Sequence, residues 1–198
     1  MRRWSPAYCR HLTAVHEAGH AVLLHHHWRG LPEAHHERPP FHSVDVYRED
    51  RGRGSKVSSV CSMYLTPWAE LQVNLAGPLA EDGAATTKDI LDNPDWWDLD
   101  KHEPYSVDDQ YQGSDHGKIR GWLDKNGCPE KVLQLAVGET AAILWEHRRA
   151  VHEIARRAYK AEFLHFFNLV DIWPDLAPAV AELERRVAKI PAFNAPAK

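Results

Sequence analysis

His16, Glu17 and His20 lie in the stretch AVHEAGHAV, residues 14–22, and form an HExxH pattern. On an α-helix, side chains four apart share a face, so both imidazoles can reach one metal ion. Zinc accepts imidazole nitrogen readily, and a catalytic zinc site uses three protein ligands and keeps one position for water or substrate. A Glu beside the first His is placed to take a proton from that water. The chain holds 14 His and 14 Glu in 198 positions, and composition alone gives about 0.07 chance matches to the pattern. Three other His-Glu pairs, at His36, His102 and His152, are not completed, because Pro40, Ser106 and Arg156 stand four residues on.

A helix over about 6–28 must carry these residues. Ser5 and Pro6 give its start, and Gly19 is the only helix-weakening residue before Gly30. A mid-helix Gly costs roughly 1 kcal/mol against Ala, which implies close approach of a second helix at Gly19. His27 shares the face of His16 and His20, but it sits about 10 Å further along the axis and cannot bind the same ion. Next come two β-branched runs, 41–49 and 56–65, separated by a charged, Gly-bearing turn over 51–54. They read as a hairpin or a pair of short strands. Thr66 and Pro67 open a helix over 67–81 with Trp68, Leu71, Leu75 and Leu79 on one stripe; Pro78 inside it predicts a kink or an early end.

From Glu81 to Asp115 the chain turns acidic and contains Trp96 and Trp97, which reads as a surface insertion or a flap. Ser114 caps a helix ending at Asn126 and Gly127. Pro129 begins a long helix to about 160, bent at Gly138, and a last helix covers about 177–189 before a Pro- and Ala-bearing tail.

The net charge of −4 argues against a general nucleic-acid binder. The basic cluster from His147 to Arg157 is interleaved with Glu146 and Glu153 and reads as a solvated helix face. Three well-separated cysteines, Cys9, Cys61 and Cys128, imply no disulfide framework, and no run of 18 apolar residues occurs. These features predict a cytoplasmic protein with no membrane partner. The expected third ligand is an anionic oxygen from elsewhere in the chain. Asp115, at a helix start where an acid is favoured even without metal, is one candidate; Glu81 on the preceding helix is its main rival, followed by His116, Asp109 and Asp82.

AVHEAGHAV resembles the zinc-binding helix of the peptidase domain of FtsH-type proteases. NLAGPLAED (74–82) is similar to that family's Ala-Gly-Arg-bearing helix, and GSDHGKI (113–119) to the segment that carries its third zinc ligand. AAILWEHRRAVHEIARRA (141–158) is similar to the closing helix. The resemblance spans roughly residues 10–160 and implies that His16, His20 and Asp115 hold Zn²⁺. Pro78 stands where the family has Arg, the acidic insertion lengthens the path to Asp115, and no GxxxxGK[ST] phosphate loop is present.

The expected fold is therefore mainly α, a zincin-like helical peptidase domain with a small β-hairpin or short sheet. It covers 1–160 with the acidic insertion at about 83–112, and 161–198 form a helical extension of the same folded unit. The expected activity is hydrolysis of peptide bonds in unfolded or extended polypeptides by a zinc-activated water, with Glu17 as general base. The alternatives are a catalytically silent metal-binding adaptor that keeps the same fold, and a structural helical protein with a chance motif.

Overall fold

A computed structural model of the chain describes residues 6–46, 56–59, 64–99, 114–127 and 130–189. Its central element is α1 (Pro6–Arg29). From Ala14 to Leu24 this helix is apolar on nearly every side, and Ala14, Val15, Ala18, Ala21, Val22, Leu23 and Leu24 are all buried. A helix apolar all round must be covered all round. Here α2 (Pro67–Glu81), α5 (Glu130–Glu146), α6 (Arg148–Ala161) and β1 (Phe41–Asp45) all lie against it. Its end is tied by Trp28, whose indole N–H donates to the Arg38 carbonyl at 2.8 Å and whose carbonyl accepts from His36 Nε2 at 3.1 Å.

Thr66 caps α2 by accepting from the Ala69 N–H at 3.2 Å, and Pro67 occupies the first turn, where no N–H is missed. The early end that Pro78 could have imposed does not occur, and α2 runs on to Glu81. Leu75, Ala76, Leu79 and Ala80, buried around the proline, hold the helix together across the lost hydrogen bond. Gly19 has the packing reason inferred for it. A Cβ there would collide with the Ala76 carbonyl oxygen and come within 2.8 Å of the Ala80 Cβ.

The sheet has three antiparallel strands in the order β2–β1–β3, with β2 at Lys56–Ser59 and β3 at Phe163–His165. Val44 pairs with Val57 on one side and with Leu164 on the other. The strand pair was legible, although both strands are shorter than read and the turn at 51–54 lies outside the described residues. The third strand was not foreseen. It follows α6, where Glu162 adopts a left-handed conformation (φ 63°) and its carbonyl accepts from the Val46 N–H at 2.8 Å, returning the chain to β1. Beyond β3, Phe166, Leu169, Trp173 and Leu176 join the same buried cluster as α1, as does Ala179 of the last helix, α7 (Ala177–Ala188).

The long helix expected over 129–160 is two helices, and the break falls at His147 rather than at Gly138. Gly138 lies inside α5 and faces Pro94. At the break, the Arg148 guanidinium donates to the Trp145 carbonyl at 2.9 Å. On α6, Glu153 pairs with Arg156 and Arg157, and Arg157 also pairs with Asp171, so much of this basic cluster is neutralised within the protein. Among the described residues, no helix is long and apolar enough to cross a membrane.

The histidine run near the end of α1 is structural. His25 stacks on Trp173 (centroids 4.0 Å apart, 10° between planes) and donates to Asp175 at 3.0 Å, while Arg29 meets the other oxygen of the same carboxylate. Burial pushes His25 down to about 4 despite Asp175, with Arg29 and His147 acting in the same direction as burial. Burial, helped by His26, likewise pushes His27 down to about 4. Both rings are thus neutral when folded, whereas the unfolded chain protonates them near the ordinary value of about 6.5. The unfolded state therefore binds more protons between these values, and the stability these two rings contribute is fully present above about pH 6.5 and is lost as pH falls toward 4. His25 alone contributes roughly 3 kcal/mol to this loss. Urea midpoints measured from pH 8 to 4 should fall through this window, and His25→Gln/His27→Gln should flatten the slope; an equal slope in the double variant would refute the assignment.

Candidate metal centre

The site lies where α1, α2 and α4 (Asp115–Asn126) meet. Ser114 begins α4 by accepting from the Gly117 N–H at 3.1 Å, which sets Asp115 in the first turn with its side chain against α1. One oxygen of Asp115, Oδ2, lies 2.9 Å from Nε2 of His16 and 2.9 Å from Nε2 of His20, and the two nitrogens are 3.1 Å apart. Among the described residues, His16, His20 and Asp115 form the one group of three or more His, Cys, Asp or Glu side chains able to hold an ion.

The other face of each ring decides what these nitrogens can do. His20 Nδ1 lies 2.7 Å from the Val73 carbonyl, which can only accept, so Nδ1 carries the hydrogen. His16 Nδ1 lies 3.1 Å from Glu81 Oε2 and donates to that carboxylate. With both Nδ1 atoms used as donors, it is the Nε2 atoms that meet at the point shared with Asp115, where each imidazole would offer a lone pair to an ion in place of a proton. Histidines that ligate metals are commonly oriented in this way by a carboxylate or a backbone carbonyl.

Four ligand atoms bound tetrahedrally to zinc at about 2.0–2.1 Å stand roughly 3.3 Å from one another. The observed separations are a few tenths of an ångström shorter, so a small outward movement would admit the ion. The charge balance also favours a cation. Three carboxylates, Glu17, Glu81 and Asp115, gather around the two imidazoles, with the Lys118 ammonium beside Asp115. The titration directions follow from the same crowding of opposite charges. Burial alone would lower His16, but hydrogen bonds to Asp115 and Glu81 outweigh it and hold the ring up at about 10. Burial alone would raise Asp115, and the two histidines override it and hold the carboxyl far below the usual carboxylate range. Burial pushes Glu17 up from its ordinary value, against the opposing pull of both histidines.

Of the residues expected from the sequence, His16, Glu17, His20 and Asp115 lie together. Glu81, the rival third ligand, sits on the Nδ1 side of His16, away from the shared point. Asp82 accepts from the Trp97 indole at 2.8 Å and belongs to the packing of the insertion. His116 does not join the ligand group, and Asp109 lies outside the described residues. Three participants were not foreseen: the Val73 carbonyl, Lys118 and Gly77. A Cβ on Gly77 would overlap the Nε2 atoms of both His16 and His20. The Gly in the NLAGPLAED helix was the available signal, since a helix interior rarely keeps one without a close neighbour.

No protein family, curated protein or solved structure compared with this chain matches it.

Two sets of substitutions test this geometry by metal titration. Gly77→Ala should raise local helix propensity yet abolish zinc uptake, because the methyl group takes the space of the ligand nitrogens. Asp115→Ala should lose zinc almost completely, whereas Glu81→Gln, which acts through His16, should weaken binding by roughly 10- to 100-fold. Full zinc affinity in Gly77→Ala, or a greater loss in Glu81→Gln than in Asp115→Ala, would contradict the arrangement.

Proposed function

We propose that the chain is a zinc-dependent peptide hydrolase with a zincin-like site, acting on extended or loosely folded polypeptides. The observation that carries this reading is the single Asp115 oxygen 2.9 Å from both Nε2 atoms of an HExxH helix, supplied from almost a hundred residues away. The likeness of AVHEAGHAV and NLAGPLAED to the FtsH-type peptidase domain supports the same reading.

His16, His20 and Asp115 would hold the ion. When bound, zinc supplies Lewis acidity toward a carbonyl oxygen and makes water a usable nucleophile near neutral pH. Everything else falls to the protein's own groups. Val73 and Glu81 fix the two rings so that no reorientation is needed for ligation. Glu17 is buried one position after the first histidine, in an environment that raises its proton affinity. A carboxylate beside the ligand group can serve as a base and return the proton to a leaving amine. Glu17 therefore takes a proton from the attacking water and passes it to the amine as the peptide bond breaks. A purely structural site needs the histidines but gains nothing from an adjacent base, which favours turnover over an adaptor role.

Glu17→Gln is the direct test, since it keeps size and all three ligands. Zinc content and thermal midpoint should stay near wild type while hydrolysis of a casein-like substrate falls by at least about 100-fold. Unchanged turnover would end the assignment of Glu17. Failure of the zinc-loaded wild type to cut any of a broad set of unfolded proteins and peptides would favour the silent adaptor. Extended substrates should be cut and tightly folded domains spared, with no response to added ATP; equal cleavage of both would contradict the substrate assignment.

A further inference from the structure

Lys118 stands one turn after Asp115 on α4, and its ammonium lies 2.9 Å from Asp115 Oδ1, the oxygen that does not face the histidines. The two carboxylate oxygens thus have separate tasks: Oδ2 meets both Nε2 atoms and Oδ1 meets the lysine. The Lys118 side chain is 47% exposed, against 15% for Asp115. An exposed pair at this spacing usually contributes little to stability. Its consequence here is geometric, because the anion it restrains is the only carboxylate of the ligand group.

We propose that Lys118 is a positioning residue that makes Asp115 a one-oxygen ligand and so keeps a coordination position open for water or substrate. This rests on the metal site read under Proposed function. A carboxylate with both oxygens free can turn and offer the second to the same ion. That would use the position which separates a catalytic zinc site from a closed structural one. Engaged by the ammonium, Oδ1 is held away. Ser114 restrains the backbone of the same turn by accepting from the Gly117 N–H, so the carboxylate that Lys118 engages is carried on a capped helix start.

Cobalt(II) can replace zinc and reports coordination number through its visible absorption, strong for four ligands and weaker for five or six. Full-length wild type, Lys118→Met and Lys118→Arg would each be loaded with cobalt and compared at equal metal content. The wild type should give the strong four-coordinate spectrum. Lys118→Met should keep its fold and bind cobalt, with the visible bands about twofold weaker or more as the second oxygen enters. Lys118→Arg, which can still engage Oδ1, should restore the strong spectrum. A spectrum in Lys118→Met identical to wild type, with full cobalt content, overturns the role of Lys118 and leaves the metal site standing. A wild type that takes up no cobalt and no zinc overturns both.

Discussion

The site depends on how closely α2 crosses α1. At Gly19 the backbone of α2 occupies the place of a side chain on α1, and at Gly77 the histidine rings of α1 occupy the place of a side chain on α2. The two glycines act reciprocally. Without the first, Ala76 and Ala80 could not lie against α1; without the second, the rings could not reach their shared point. The same crossing brings the Val73 carbonyl to His20 and the Glu81 carboxylate to His16. One interhelical distance therefore sets ring orientation, tautomer and room for a ligand together. The cost of two helix-interior glycines, roughly 1 kcal/mol each, is a local weakness retained for a geometric purpose.

Burial makes this arrangement consequential. Glu17 is 5% exposed and His20 is 8% exposed, so their charges are little screened. An uncompensated charge is expensive there, and buried polar groups persist only where they are paired. The imidazoles and carboxylates there are paired with one another, His16 lying between Asp115 and Glu81. A divalent cation at the shared point would serve the same electrostatic need with a stronger charge. The groups that would hold it already converge on one point.

The range of each interaction decides whether the sequence reveals it. His16, Glu17 and His20 were legible because helical periodicity alone puts the two rings on one face. The helix over 67–81 was legible through Thr66, Pro67 and its apolar stripe, and Gly19 already signalled a close neighbour. The roles of Val73 and Gly77 were not, because each arises from a contact between helices distant in sequence, and that of Lys118 was hidden because it acts through Asp115, whose approach to α1 is itself such a contact. The missed strand at Phe163–His165 has the same origin. Three residues carry too little periodicity to announce a strand, and only pairing with β1 gives them one. The misplaced bend in 130–161 shows the reverse error. Gly138 has the composition of a breaker, yet it lies inside α5 facing Pro94, while the helix breaks several residues on, at His147.

The acidic insertion tests how far sequence distance matters. Between Glu81 and Asp115 the chain is long, which at first sight weakens the case for Asp115 as a ligand. Loop-closure entropy grows only logarithmically, by about 0.6 kcal/mol per doubling of length, so a long path costs little more than a short one. The near end of the insertion is also anchored. Ala84, Ala85, Trp97 and Leu99 are buried, Trp97 donates to Asp82, and Pro94 lies against Gly138 of α5. Delivery of the carboxylate is set by the start of α4, on the far side of the insertion. Ser114 fixes that start, the first turn places Asp115, and Ile119, fully buried one turn on, seats the helix in the core. The length between the ligands is therefore free to vary, whereas the cap and the buried face of α4 are not.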